Sequence, residues 1–436
     1  MKYRAFIFKN YTFDINSMTL SLNYSFDDKL NFNEKYIFKF RPVEYNIKAL
    51  DSAFRDLFLI SGISYYKAYL SETIIIENFK ISKLQADFFA KVYQKGLGEF
   101  FYINGLEPDQ KIIFPYDDQK IPDPIDLKLD TGFLIGIGGG KDSLVVSEAL
   151  RNTNRKVATW SLNHREKLTA LVNRINLNHF YVDRKIDPLL IKLNNQDALN
   201  GHIPISAILS FAGIAVAILT NTQDVVVGNE QTANDPTLEY RGTLINHQYS
   251  KSQEYENDLI KYLCAVYKDG VRYYSFLRPL SELRIAEIFS NIAFNKYKDV
   301  FSSCNRAFHL DSDYLFWCGE CPKCAFIFLL LTPFIDKEEL VKLWNGKNLL
   351  LDKNLASTYF ALLGIKGDKP LDCVGEIKES RAAMLLAQKI YPELKDIYKF
   401  SLPSDYDYKK LYPDSMPEDL KKIFKSFINH LQTEIE

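Results

Sequence analysis

Gly136-Ile137-Gly138-Gly139-Gly140-Lys141-Asp142-Ser143 is the segment whose residue types most directly offer chemistry. The apolar run Gly132-Phe133-Leu134-Ile135 precedes it and reads as a buried strand, and Leu144 to Leu150 follows and reads as a helix. A strand, a glycine-rich turn and a helix start together point backbone N–H groups at a phosphate. Glycine permits positive φ and close approach of the backbone to an anion. Lys141 adds a cation, and the Asp142 carboxylate could hold Mg²⁺ against phosphates. Two commoner phosphate motifs do not fit. The Walker pattern needs Ser or Thr after the lysine, where Asp142 stands, and the dinucleotide fingerprint needs a glycine where Lys141 stands.

A second cluster is built for metal. Cys318-Gly319-Glu320-Cys321-Pro322-Lys323-Cys324 repeats cysteine at two-residue spacing, and Cys304 lies upstream in Ser302-Ser303-Cys304-Asn305. Four thiolates suit tetrahedral Zn²⁺. Three closely spaced cysteines also suit an iron–sulfur cluster. Cys264 and Cys373 stand apart and read as small buried hydrophobes.

Three further stretches are more polar than a fold requires. Gly228-Asn229-Glu230-Gln231-Thr232-Ala233-Asn234 follows a strand-like run, so its side chains can face a ligand. Asn246-His247-Gln248-Tyr249-Ser250-Lys251-Ser252-Gln253-Glu254-Tyr255-Glu256 packs a base, a cation and carboxylates together. On a helix His247, Lys251 and Glu254 would share one face. Arg278-Pro279-Leu280-Ser281-Glu282-Leu283-Arg284 places two guanidinium groups around a turn. Read blandly, these are a capped helix start, a solvated helix face, and a turn leading into a surface helix.

The elements that must position these residues follow from periodicity. Residues 1 to about 45 alternate polar and aromatic positions with period two, as β-hairpins do. Residues 47–70 and 83–98 are helix-like. Pro115, Pro122 and Pro124 with Asp117, Asp118 and Asp123 make a linker. From Thr131 strands alternate with helices: Val157–Leu162, Leu168–Ile175, Phe180–Val182, Ile205–Leu219, Asp224–Gly228. Such alternation predicts an α/β fold, a doubly wound parallel sheet with ligands beyond the carboxyl ends of its strands. The phosphate turn, Trp160 and Asn229-Glu230 would converge there. The expected domains are an α+β N-terminal domain (1–125), an α/β domain carrying the glycine loop and the four cysteines (130–335), and a helical C-terminal region (336–436).

Composition narrows the class. The 436 residues are 47% hydrophobic and 25% charged, with net charge −1. That is a globular composition with enough apolar residues for a core. Near-zero charge disfavours a nucleic-acid partner. Without a cationic leader or a long apolar run, a soluble cytoplasmic protein with no membrane partner is expected. In a cytosolic chain a disulfide framework is not expected either.

Gly-Gly-Gly-Lys-Asp-Ser resembles the loop of the PP-loop ATP pyrophosphatases (adenine nucleotide alpha-hydrolase-like, HUP-like fold), with Gly138 where that loop has Ser. Those enzymes adenylate a substrate and release pyrophosphate. The Ser-Cys then Cys-Gly-x-Cys-x-x-Cys order is similar to that of the 7-cyano-7-deazaguanine synthases, whose site is structural zinc, and this favours zinc here. Many PP-loop enzymes carry Pro-Leu-x-x-Leu-Lys where Arg284 now occupies the cation position. The ordered set of Gly-Gly-Gly-Lys-Asp-Ser, Gly-Asn-Glu-x-x-Ala-Asn, Asn-His-Gln-x-Ser-Lys-Ser-x-Glu-x-Glu, Ser-Ser-Cys-Asn and Trp-Cys-Gly-x-Cys-Pro-Lys-Cys resembles the UDP-N-acetylmuramoyl-L-alanyl-L-glutamate epimerase family (MurL type), best over residues 130–335.

That resemblance implies an ATP- and Mg²⁺-dependent isomerase of peptidoglycan precursor synthesis. Adenylating the glutamate carboxylate makes the α-carbon acidic enough for inversion, and hydrolysis returns the acid with AMP and pyrophosphate. The nucleotide would lie on Gly138, Gly139, Gly140, Lys141, Asp142, Ser143, Trp160 and Arg284, with Asp142 the Mg²⁺ ligand. The substrate would meet Asn229, Glu230, Asn234, Asn246, Gln248, Ser250, Glu254 and Arg278. Lys141 and Asp142 would act in adenylation; His247 or Lys251 would be the α-proton base, and no sequence rule separates the two. Cys304, Cys318, Cys321 and Cys324 would hold zinc. Apart from the UDP-sugar dipeptide, the expected partner is a ligase of the same pathway. The alternatives are a PP-loop enzyme adenylating another acceptor, either 7-cyano-7-deazaguanine synthase-like or a tRNA-modifying ligase, and a nucleotide-binding or zinc-ribbon module without catalysis.

Overall fold

The aromatic alternation of the first forty residues folds as a meander of β1 (Ala5–Asp14), β2 (Thr19–Phe26) and β3 (Leu30–Phe38). One face of it buries Phe6, Phe8, Leu20, Leu22, Tyr24 and Phe26 against the helix Ile47–Ser61, which Asn46 caps. A short β4 (Thr73–Ile76) adds parallel to β1 at the edge. The computed structural model describes residues 2–120, 124–308 and 314–435. Pro122 and Asp123 of the expected linker lie outside them, and residues 105–120 and 124–129 run without helix or strand.

From Asp130 the chain alternates as expected: β5 (Asp130–Gly136), β6 (Lys156–Leu162), β7 (Asn178–Lys185), β8 (Thr222–Val227), a small hairpin of β9 (Leu238–Tyr240) and β10 (Thr243–Ile245), and β11 (Arg272–Ser275). Among the described residues the main sheet has nine strands in the order β11-β8-β5-β6-β7-β3-β2-β1-β4. β11 to β7 are mutually parallel, and β7 to β1 are antiparallel. β3 pairs with β7 from Phe38↔Val182 to Lys35↔Lys185, so the N-terminal meander and the parallel strands share one sheet.

Within the parallel part, β5, β6 and β7 step one way and β8 and β11 the other. The order reverses between β5 and β8, the place where open α/β sheets leave a crevice for ligands. β5 is apolar and buried from Gly132 to Ile135 because both faces are covered there. Leu134 and Val225 face one core, with Trp160 and the helix Ile205–Leu219. Phe133, Ile135 and Val226 face the other, with the helices Lys141–Leu150, Glu282–Ile292 and Pro322–Leu331. The helices Ile377–Ile390 and Glu418–Ile435 extend that second layer. Among the described residues no helix is long and apolar enough to cross a membrane.

Candidate active site

The glycine loop leaves β5 at the sheet's switch point. Ile137 N–H donates to Trp160 O at 2.8 Å, which fixes the first step of the turn. Gly139 has φ +91°, and a Cβ there would lie 3.1 Å from Ser302 O and from Phe308. Left-handed backbone and close approach both require glycine. Gly140 is the N-cap of the helix Lys141–Leu150 and has no side chain to satisfy the first N–H groups. Those donors and the positive end of the helix dipole are left for an anion. Gly228 brings the end of β8 against Asp142, where an added Cβ would sit 3.2 Å from its backbone.

Around this loop lies a cleft of about 350 Å³, lined by Gly138, Gly140, Asp142, Ser143, Trp160, Asn229, Glu230, Lys251, Lys323 and Cys373 among others. The Trp160 indole N–H is buried there without a hydrogen-bond partner among the described residues. The Lys141 ammonium does not line the cleft. It is buried between the carboxylates of Asp142 and Glu282, which hold it firmly protonated against its desolvation. Glu282 N–H donates to Glu379 Oε1 at 2.7 Å, tying the pair to the C-terminal helix Ile377–Ile390.

The four cysteines meet beside the same loop. Their sulfurs lie within 4.8 Å of one another, with Cys304–Cys321 at 3.8 Å and Cys318–Cys324 at 3.7 Å. Those separations are far from a disulfide bond. They match a tetrahedron with metal–sulfur bonds of about 2.3 Å, whose edges are about 3.8 Å. The cluster could therefore hold a metal. It fastens the segment that covers the loop: Ser302 N–H donates to Gly139 O at 3.0 Å, and Ser303 and Asn305 line the cleft.

The profile of the MurL N-terminal domain matches residues 1–276, and that of the MurL C-terminal domain matches residues 300–397. The chain belongs to the MurL family. It is 40% identical over 341 residues to a UDP-N-acetyl-alpha-D-muramoyl-L-alanyl-L-glutamate epimerase of Xanthomonas oryzae pv. oryzae, covering 78% of this chain and 75% of that protein. A protein of the same name from Micromonospora sp. is 35% identical over 393 residues, covering 88% and 87%. A third, from Salinispora tropica, is 35% identical over 389 residues, covering 88% and 84%.

Within this MurL-family architecture the expected site residues separate into groups. Gly138, Gly140, Asp142, Ser143, Trp160, Asn229, Glu230 and Lys251 share the cleft. Arg278 is fully buried and braces it from behind: it pairs with Glu256 at 2.9 Å and donates to Glu230 O and Lys251 O, each at 2.6 Å. Arg284 lies outside the cleft lining and pairs with Glu287. The cations that line the cleft are instead Lys251 and Lys323.

The polar run 246–256 is not one helix. It turns through Asn246–Gln248, makes a 3₁₀ turn over Tyr249–Lys251, and enters the helix Gln253–Tyr267 at Ser252, whose hydroxyl accepts from Tyr255 N–H at 3.2 Å. The cap ends the shared face that a continuous helix would give. Glu254 therefore points away and pairs with Lys91 and Lys95. Asn234, Asn246 and Glu254 line a neighbouring hollow of about 900 Å³. Asn234 and Asn246 brace local backbone, accepting from Gln253 N–H and Gln248 N–H. Ser250 and Gln248 are buried, and Gln248 Oε1 has no partner among the described residues. His247 is buried outside the cleft lining, its Nδ1 2.6 Å from Thr237 Oγ1, and burial with nearby Lys251 lowers it to about 4.

Sequence reasoning missed Lys323, Glu282 and Cys373. Lys323 sits inside the Cys-Pro-Lys-Cys motif and Glu282 inside Pro-Leu-Ser-Glu, so both had a local signal. Cys373 had none. It was expected to be a buried hydrophobe, yet it lines the cleft, while Cys264 is exposed.

Burial raises the Glu230 carboxyl from the ordinary 4.5 to about 7, with Glu282 adding to the rise and Lys251 opposing it. The folded protein then holds this proton more tightly than the unfolded chain. The contribution of this carboxyl to stability is full below about pH 4.5 and falls as the pH rises towards 7. Glu230→Gln is expected to stabilise the ligand-free protein at pH 8 by on the order of 2–3 kcal/mol, and to change little at pH 4. Urea melts at both pH values check this; an equal effect at the two rejects it.

Proposed function

We propose that this chain inverts the terminal L-glutamate of UDP-N-acetylmuramoyl-L-alanyl-L-glutamate to D-glutamate through an acyl adenylate, consuming ATP. The observation that carries the reading is the cleft at the β5/β8 switch point. There a glycine loop with unsatisfied helix N–H groups, a carboxylate (Asp142) and two cations (Lys251, Lys323) meet. The names of the 35–40% identical relatives supply the substrate.

Each part has a physical task. An α-proton beside a carboxylate resists removal because the product is a dianion. Adenylation replaces that carboxylate by a mixed anhydride and removes the second charge. The N–H groups after Gly140 and the Lys323 ammonium fit the triphosphate. The Trp160 indole N–H, otherwise unpaired, offers a donor to the nucleotide. The Asp142 carboxylate is a hard oxygen donor on the cleft wall and fits Mg²⁺, which would neutralise charge on the departing pyrophosphate. The four-cysteine cluster fits structural Zn²⁺, a closed site with no open position for chemistry. On this reading the fold is that of the PP-loop ATP pyrophosphatases, and the β11-β8-β5-β6-β7 order supports it.

Incubation with UDP-N-acetylmuramoyl-L-alanyl-L-glutamate, ATP and Mg²⁺ in D₂O tests the proposal. The expected products are D-glutamate carrying deuterium at the α-carbon, AMP and pyrophosphate, read by mass spectrometry and chiral analysis. AMP without α-deuterium would mean another adenylated acceptor. No AMP would sink the adenylation step.

A further inference from the structure

Inversion at a carbon needs a group that takes the α-proton, and the cleft wall holds few that can. His247 is off the cleft. Lys251 is on it, but Cys373 first and then Glu230 and Asp142 hold its ammonium protonated against desolvation, so it is a poor base. Cys373 is the cleft's only thiol among the described residues. Lys251 Nζ donates to its Sγ at 3.3 Å, and Lys323 Nζ donates to its backbone carbonyl. Two ammonium groups thus converge on one residue from separate elements, Lys251 on its sulfur from the turn before the helix Gln253–Tyr267 and Lys323 on its carbonyl from the first turn of the helix Pro322–Leu331. The charged groups around the thiol are Lys251, Lys323, Lys369, Asp372 and Glu99. Burial alone would push the thiol up; Lys251 and Lys323 outweigh it, and the thiol lies below its ordinary value. Such a cationic, partly enclosed setting is what makes a cysteine a thiolate at neutral pH.

We propose that the Cys373 thiolate is the base that takes the glutamate α-proton, that Lys251 keeps it ionised, and that the Glu230 carboxyl returns a proton to the opposite face. The inference rests on the epimerase reading above. The α-C–H bond breaks, its proton passes to Sγ as S–H, and the electron pair moves into the activated carbonyl as an enolate. The Glu230 O–H bond then breaks and a new C–H bond forms. One turnover leaves Cys373 protonated and Glu230 ionised, and proton exchange with solvent resets both. In the opposite direction the two groups trade roles.

Cys373→Ala is expected to retain ATP–pyrophosphate exchange with the dipeptide substrate and to lose D-glutamate formation by about 10²–10⁴-fold. Epimerisation within tenfold of the parent overturns the proposal. A second measurement needs no variant: iodoacetamide labelling of the intact protein against pH, with each cysteine followed by peptide mass spectrometry. Cys373 should reach half-maximal labelling below a free thiol's value of about 8.5, while exposed Cys264, raised by desolvation and Asp269, labels at higher pH. A Cys373 midpoint at or above that of Cys264 overturns the thiolate. Failure of the parent enzyme to show pyrophosphate exchange would sink the functional reading instead, and leaves a result distinct from either outcome for Cys373.

Discussion

Asp142→Asn abolishes AMP and pyrophosphate release, by about 10²–10³-fold or more, while the protein stays folded. The carboxylate lies on the cleft wall at the start of the helix Lys141–Leu150, and the amide is nearly isosteric with it. The substitution removes the negative charge that would hold Mg²⁺. It leaves Lys141 paired with Glu282, so the buried ammonium keeps a counter-charge. Lys141→Ala is the contrasting variant. It strands the Glu282 carboxylate, only 4% exposed, without its cation, and an uncompensated buried charge costs about 3–5 kcal/mol. Its loss of AMP formation therefore comes with a lower melting temperature. Chromatographic AMP assays beside thermal melts separate the two; normal AMP release by Asp142→Asn rejects the assigned role of the loop.

The second large effect is expected at the cysteine cluster. If the cluster holds the zinc proposed above, Cys321→Ser loses that metal and, with it, stability on the order of several kcal/mol. Cys321 is doubly placed, as a thiol of the cluster and as N-cap of the helix Pro322–Leu331, where its sulfur accepts from Cys324 N–H. Serine can still cap, so the loss reports the metal and not the cap. Because Cys304 lies between Ser303 and Asn305 on the cleft wall, metal loss should also weaken nucleotide binding. Elemental analysis, thermal melts and nucleotide titration read the three together. A metal-free variant as stable as the parent refutes a structural metal.

The layout explains why the four-cysteine cluster and the glycine loop are neighbours. A glycine loop that leaves its N–H groups free has little to hold its own shape. Here Gly139 O accepts from Ser302 N–H, and the turn carrying Ser302 is anchored by Cys304 two residues later. The buried Lys141–Glu282 pair fastens the other side, and Glu379 extends it to the C-terminal helices. Rigid support on both sides keeps a preorganised set of donors aimed at the cleft.

By itself the sequence determined what is local. The strand–turn–helix of residues 132–150 follows from an apolar run, four glycines and an N-terminal helix pattern. The meander follows from period-two aromatics, and the cysteine cluster from its own spacing. Each depends on dihedral preferences and side-chain period within a few residues. Tertiary structure alone decided the rest. A polar run that reads as one helix is broken at Ser252 because its hydroxyl satisfies the new helix better than continuation would. Lys141, which reads as a phosphate cation, is claimed by a carboxylate 141 residues away. Cys373, 122 residues beyond Lys251, reaches the cleft only because the C-terminal layer packs onto the sheet's second core. Contacts of that range are set by which apolar faces cover which. Burial then turns ordinary ion pairs into strong ones and moves carboxyl and thiol proton affinities in ways no local pattern carries.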